Sequence, residues 1–109
     1  MTDPDVDGLL DTVVAALGGQ RRDGQAAMAR TVADALAGGD HALIQAGTGT
    51  GKSLAYLVPA VAHAVRAKER VVVSPATLAL QRQVFSKDFP LVADALDAVL
   101  GERPRAALF

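Results

Sequence analysis

One stretch limits this chain more than any other: Ala46-Gly47-Thr48-Gly49-Thr50-Gly51-Lys52-Ser53. A short apolar run, His41 to Gln45, precedes it, and a helix-like run, Leu54 to Lys68, follows it. Strand, glycine-rich turn ending in Gly-Lys-Ser, then helix is the order of a phosphate-binding loop. Gly47, Gly49 and Gly51 let the backbone curl round a phosphate with no Cβ in the way. Peptide N–H groups then converge at a helix N-terminus, where partial positive charge collects. Lys52 is expected to reach the β- and γ-phosphates of a nucleotide, and the Ser53 hydroxyl to take a place on Mg²⁺. Ala46 stands where such loops usually begin with glycine. A methyl is the smallest side chain possible there, and we read it as tolerated. A flexible Gly/Thr surface loop is the competing reading, and the strand-then-helix context argues against it.

The flanks supply the rest of an α/β pattern. Val6, Leu9, Leu10, Val13, Val14 and Leu17 mark one face of a helix over 5–17. Asp3 is expected as its N-cap, Pro4 in its first turn and Gly18-Gly19 at its end. Packing against the domain is the reading preferred for this helix. A second helix is expected from about Asp23 to Ala37, with Met28, Val32 and Leu36 as its apolar stripe and Gly38-Gly39 closing it. Gln25 falls in its first turn. On position alone it reads as a solvated glutamine, although an amide there can also read an adenine edge. After the glycine-rich turn, Leu54, Leu57, Val58, Val61, Ala62 and Val65 form a helical stripe. Pro59 either bends that helix near Tyr56 or ends it and starts another.

Arg70-Val71-Val72-Val73-Ser74 reads as a buried parallel strand, so that 41–45, the helix and 70–74 would make a βαβ unit. A helix start follows at 76–85, capped by Ser74 or Thr77. Thr77 and Gln81 would then lie on the same sheet edge as the phosphate loop; the plainer reading is a cap and a surface amide. Pro90 opens a last helix striped by Leu91, Val92, Ala95, Leu96, Val99 and Leu100, with Gly101 at its end. The tail from Arg103 to Phe109 resembles the beginning of another strand.

Bulk properties exclude several classes. With 109 residues the chain is one domain at most, or part of one. Half of it is hydrophobic but only 4% is aromatic, so its core is expected to be aliphatic. A formal charge of −1 provides no bulk attraction to nucleic acid. There is no cysteine, hence no disulfide and no thiolate ligand. His41 and His63 have no second ligand at metal spacing. No run is long enough to span a membrane and no signal peptide opens the chain, so a cytoplasmic location is expected. Hydrolysis needs an acidic residue on Mg²⁺ and usually a carboxylate to orient water. The only glutamates are Glu69, at the wrong end of its strand, and Glu102, after a helix. No apolar run ends in an acidic pair. The chain is therefore expected to carry half of a nucleotide site, with no catalytic residue of its own.

Three segments together carry a family resemblance. They are Arg22-x-x-Gln25-x-x-Met28; Gln45 to Ala60, with Leu-Ala-Tyr-Leu-Val-Pro-Ala after the loop; and Val73 to Gln83 with Lys87-Asp88-Phe89-Pro90 after it. From about Arg22 to Phe109 the chain resembles the N-terminus of a DinG-type, XPD-like superfamily 2 ATP-dependent DNA helicase. Gly18-Gly19-Gln20-Arg21 stands where that family often has an aromatic before its arginine. The resemblance implies the first part of a RecA-like P-loop NTPase motor domain over 22–109, with parallel strands flanked by helices. Residues 1–21 would be an N-terminal amphipathic helix and linker. It implies that Arg22 and Gln25 form an adenine-reading Q motif, that residues 46–53 are motif I, and that Ser74–Gln83 are motif Ia. Thr77 and Gln81 would then lie along single-stranded DNA. It further implies ATP and Mg²⁺ as cofactors, 5′-to-3′ translocation on single-stranded DNA, and an iron–sulfur cluster in many members. The first cluster cysteine, motif II and the second motor domain are expected beyond Phe109, so the chain reads as an N-terminal fragment, inactive alone and marginally stable. The alternative is a standalone P-loop nucleotide-binding interaction module. A P-loop kinase fits less well, because neither an acidic base nor an arginine-rich lid is visible.

Overall fold

The computed structural model describes residues 5–20, 22–45 and 52–108. Helix α1 (Val6–Ala16) forms where Leu9, Leu10, Val13 and Val14 fall on one side, and all four are buried. Its N-cap is Asp5, not Asp3. Extended backbone at Asp5 (φ −76°, ψ 178°) lets its carboxylate accept from the Gly8 N–H at 2.9 Å. Gly18, at φ 72°, turns the chain out of the helix.

Helix α2 (Asp23–Gly38) ends as expected, at a left-handed Gly39. Its buried line differs from the expected stripe. Gln25, Ala26 and Ala29 are buried, whereas Met28, Val32 and Leu36 are half-buried. The reason is close approach: α2 packs most extensively against the next helix, and alanine at the seam lets two backbones come near. Arg30 of α2 reaches back to Asp7 of α1 at 3.2 Å.

Helix α3 (Lys52–Ala67) is the centre of the molecule. It packs on α1, on α2 and on the last helix, and it buries Ala55 and every residue from Leu57 to Ala62. Pro59 lies within this single helix and does not divide it. Losing one N–H inside the helix costs about 3 kcal/mol or more, and burial of the ring and its neighbours offsets that cost. At its end Lys68 takes a left-handed φ of 56°, and Glu69 N donates back to the Ala64 carbonyl at 3.2 Å.

The C-terminal third is one helical rod. Helix α4 (Leu78–Gln83) runs into a π turn (Val84–Asp88) and on into α5 (Phe89–Leu100). Thr77 is the cap, and its Oγ1 accepts from Leu80 N at 3.1 Å. Pro90 therefore does not open a separate helix; it sits in the first turn of α5 within the rod. Gly101, at φ 82°, ends it. Val92, Ala93 and Leu96 are buried, and Arg103 pairs with Asp94 beyond the end.

Leu9, Leu10, Val13, Val58, Val92 and Leu96 are fully buried and join one aliphatic cluster drawn from α1, α3 and α5. Helix α1 thus belongs to the same core as the rest. The radius of gyration is 13.0 Å, close to the roughly 13 Å of a compact domain this long.

The expected strands are a correction. Among the described residues no β-ladder forms, and 41–45, 70–74 and 103–108 are irregular. Leu43 is 103% exposed and Val72 78% exposed. A parallel strand is held by neighbours on both sides and by cover on both faces, and a lone pair of strands has neither. Helix α3 instead buries its apolar side against other helices.

Candidate functional site

The glycine-rich stretch at 46–51 lies outside the described residues, and Lys52 and Ser53 are the first described residues after it. Both open α3, Lys52 exposed and Ser53 half-buried. No acidic residue stands in the first turn of α3, while Arg66 stands in its last turn. The helix therefore keeps its partial positive charge unneutralised at the Lys52 end, roughly half an elementary charge. Among the described residues no carboxylate pairs with Lys52. A helix N-terminus, a lysine and a first turn without an acid suit an anion of high charge density.

Lys52 and Ser53 border a cleft of about 620 Å³. One wall is α3 itself, through Tyr56 and Ala60; Val32 and Leu36 of α2 make another. The irregular segment from Val71 to Pro75 and Leu80 of α4 complete it. The structure thus brings Lys52 and Ser53 together with the run that follows α3, although that run is not a strand. Tyr56 was not singled out by motif reasoning. Its signal was simple: it stands four residues after Lys52, hence on the same helix face.

The other expected site residues lie elsewhere. Gln25 is 5% exposed, buried on α2 beside Ala26 and Ala29, and not the solvated glutamine that its position suggested. Arg22 is exposed, with extended backbone (φ −106°, ψ 145°) just before α2, and its side chain makes no capping bond. Neither lines the cleft. Thr77 is occupied as the cap of α4, but its hydroxyl is the acceptor there, so its own proton remains available to an outside acceptor. Gln81 is half-buried one turn later. Leu80 carries this part of α4 to the cleft, while Thr77 and Gln81 do not line it.

Donor chemistry limits the metals. The Ser53 hydroxyl is a hard oxygen suited to Mg²⁺, which takes most of its other ligands from phosphates and water. Among the described residues no three His, Asp or Glu side chains gather into a metal site. His63 instead meets Glu69, Nε2 to Oε1 at 3.0 Å, which accounts for one of the two glutamates. Without cysteine the chain supplies no thiolate to an iron–sulfur cluster. Among the described residues no helix is long and apolar enough to cross a membrane.

Comparison with known proteins gives a consistent set of relatives. The DEAD/DEAH box helicase family matches residues 24–103. The ATP-dependent helicase DinG of Mycobacterium tuberculosis (strain H37Rv) is 56% identical over 100 residues, covering 92% of this chain. The 3′-5′ exonuclease DinG of Bacillus subtilis is 47% identical over 77 residues, 71% of this chain and 8% of its own. The ATP-dependent DNA helicase YoaA of Escherichia coli is 45% identical over 75 residues, 69% of this chain and 11% of its own. The chain spans 15% of the length of the mycobacterial relatives it matches. No solved structure matches.

Proposed function

The chain belongs to the DEAD/DEAH box helicase family and is of the DinG type, and from that premise we propose that it forms the ATP phosphate-binding part of a DNA helicase motor. The observation that carries this reading is Lys52 and Ser53 at an acid-free start of α3, following a glycine-rich loop. Residues 46–51 offer backbone N–H groups to the phosphates. Lys52 holds the β- and γ-oxygens as a point charge, and Ser53 offers its hydroxyl to Mg²⁺. Mg²⁺, when bound, neutralises phosphate charge. Arg22, exposed just before α2, and Gln25 in the first turn of α2 serve the adenine end. The Thr77 proton and the Gln81 amide face the backbone of single-stranded DNA, with translocation 5′ to 3′.

On this reading the chain binds ATP weakly and does not turn it over alone, because the acidic pair and the opposing motor domain belong to other sequence. The test places this sequence in frame in place of the matching segment of the mycobacterial DinG helicase. ATP hydrolysis stimulated by single-stranded DNA and lost in Lys52→Ala is the expected result. Hydrolysis indifferent to DNA, or surviving the substitution, refutes the proposal.

A second reading is favoured by the single shared core of α1, α3 and α5: a standalone nucleotide-binding interaction module. Calorimetry with Mg-ATP on the 109-residue chain separates the two. Micromolar affinity that falls on the order of 10- to 100-fold in Lys52→Ala favours the module. Millimolar or weaker binding favours the half-site.

A further inference from the structure

We propose that the π turn Val84–Asp88 is a register switch that sets the rotation of the α4 arm on the α5 anchor. It goes beyond the nucleotide reading and stands on the helix geometry alone. Three observations meet here. First, α4 has no buried residue, and among the described elements it packs only against the π turn it continues into. By contrast α5 packs on α1 and α3 and buries Val92, Ala93 and Leu96. One end of the rod is anchored and the other is a free lever.

Second, the π register has an identifiable cause. The Phe89 N–H bonds the Val84 carbonyl, five residues back. Pro90, which follows, has no N–H to give, and its ring would crowd the Ser86 carbonyl in an α-helix. Widening the turn by one residue moves that carbonyl aside.

Third, a side-chain contact exists that only the wide turn allows. Gln83 Nε2 donates to Asp88 Oδ2 across 3.5 Å, and Asp88 is buried at 9% exposure. Residues five apart lie about 140° round an α-helix and cannot meet; residues four apart do. The Gln83–Asp88 contact therefore favours the π register over the α register, and it does so with a buried carboxylate that would lose its partner on closing.

Closing the turn to α at constant length would rotate α4 by about 100° and shift it by about 1.5 Å relative to α5. A side chain about 5 Å from the axis would move about 8 Å. Which face of α4 borders the cleft, Leu80 or its neighbours, is decided by this one turn.

The chain has no cysteine, so exposed Ala79 on α4 and exposed Ala27 on α2 can be replaced by cysteine and spin-labelled as a pair. Pulsed EPR on the wild-type background should give one distance. Asp88→Leu with Pro90→Ala removes the partner and the ring, and should displace that distance by several ångströms. Deleting Ser86 in the same double variant removes the additional residue and should return the distance to its wild-type value. A wild-type distance in the double variant, or no return on deletion, overturns the proposal. Should the double variant fail to fold, Gln83→Ala and Pro90→Ala singly carry the test. Each should populate the displaced distance as a minor component, and a single unshifted distance in both overturns it.

Discussion

Lys68→Gly should make the chain more stable than Lys68→Ala, although both remove the same charge. Lys68 is the one described residue other than glycine with positive φ, at 56°. At the other helix ends this left-handed position is filled by Gly18, Gly39 and Gly101. A Cβ in that conformation costs about 1–2 kcal/mol. Glycine takes back about 0.5–1 kcal/mol through its greater freedom in the unfolded chain. Taking the middle of each range leaves glycine ahead of alanine by about 0.8 kcal/mol. Both variants lose the attraction of an ammonium for the carbonyl end of α3, so that contribution cancels between them. For a domain of this size the gap corresponds to a Tm difference of roughly 3–6 °C. Thermal and urea melts of the two variants and the wild type measure it. If alanine is as stable as glycine, the left-handed turn at Lys68 is not part of how α3 ends, and the Glu69-to-Ala64 backbone bond at 3.2 Å loses its explanation.

Two more substitutions separate anchor from arm. Leu96→Ala removes a fully buried side chain from the shared core and should cost about 3–5 kcal/mol in a urea melt; a loss under about 1 kcal/mol would contradict its place there. Thr77→Ala removes the cap of α4, worth about 1 kcal/mol locally. Because α4 buries nothing, faster amide exchange at Leu78–Leu80 with an almost unchanged Tm is expected, and a large drop in Tm would refute the lever description of α4.

Helices were legible wherever apolar spacing and glycine punctuation agreed. The Asp23 start and Gly39 end of α2, the run of α3 from Lys52, and the Gly101 stop of α5 follow from local chemistry alone. Less local features were not legible. The N-cap is Asp5, whose carboxylate accepts from the Gly8 N–H, two residues along from the expected Asp3, which lies outside the described residues. The buried alanine line of α2 is invisible to a search for large apolar side chains, since it is set by how near α3 comes. The π turn depends on Pro90 acting on a carbonyl four residues back, and a proline near a helix start reads equally well as a new beginning.

The strands show where such reading stops. Val71 to Val73 has the composition of a buried parallel strand, but composition specifies a preference for being covered, not the cover itself. With no ladder formed among the described residues, Val72 and Leu43 stand in solvent. The candidate site divides along the same line. Lys52 and Ser53 need only a helix start, and both stand in the first turn of α3. Gln25 and the cleft beside Tyr56 need neighbouring elements in their final positions, so their surroundings follow the packing of α2 on α3. The lysine, the hydroxyl and the helix charge proposed to hold phosphate all belong to the first turn of one helix, so none of them depends on a β-ladder, and no ladder forms among the described residues.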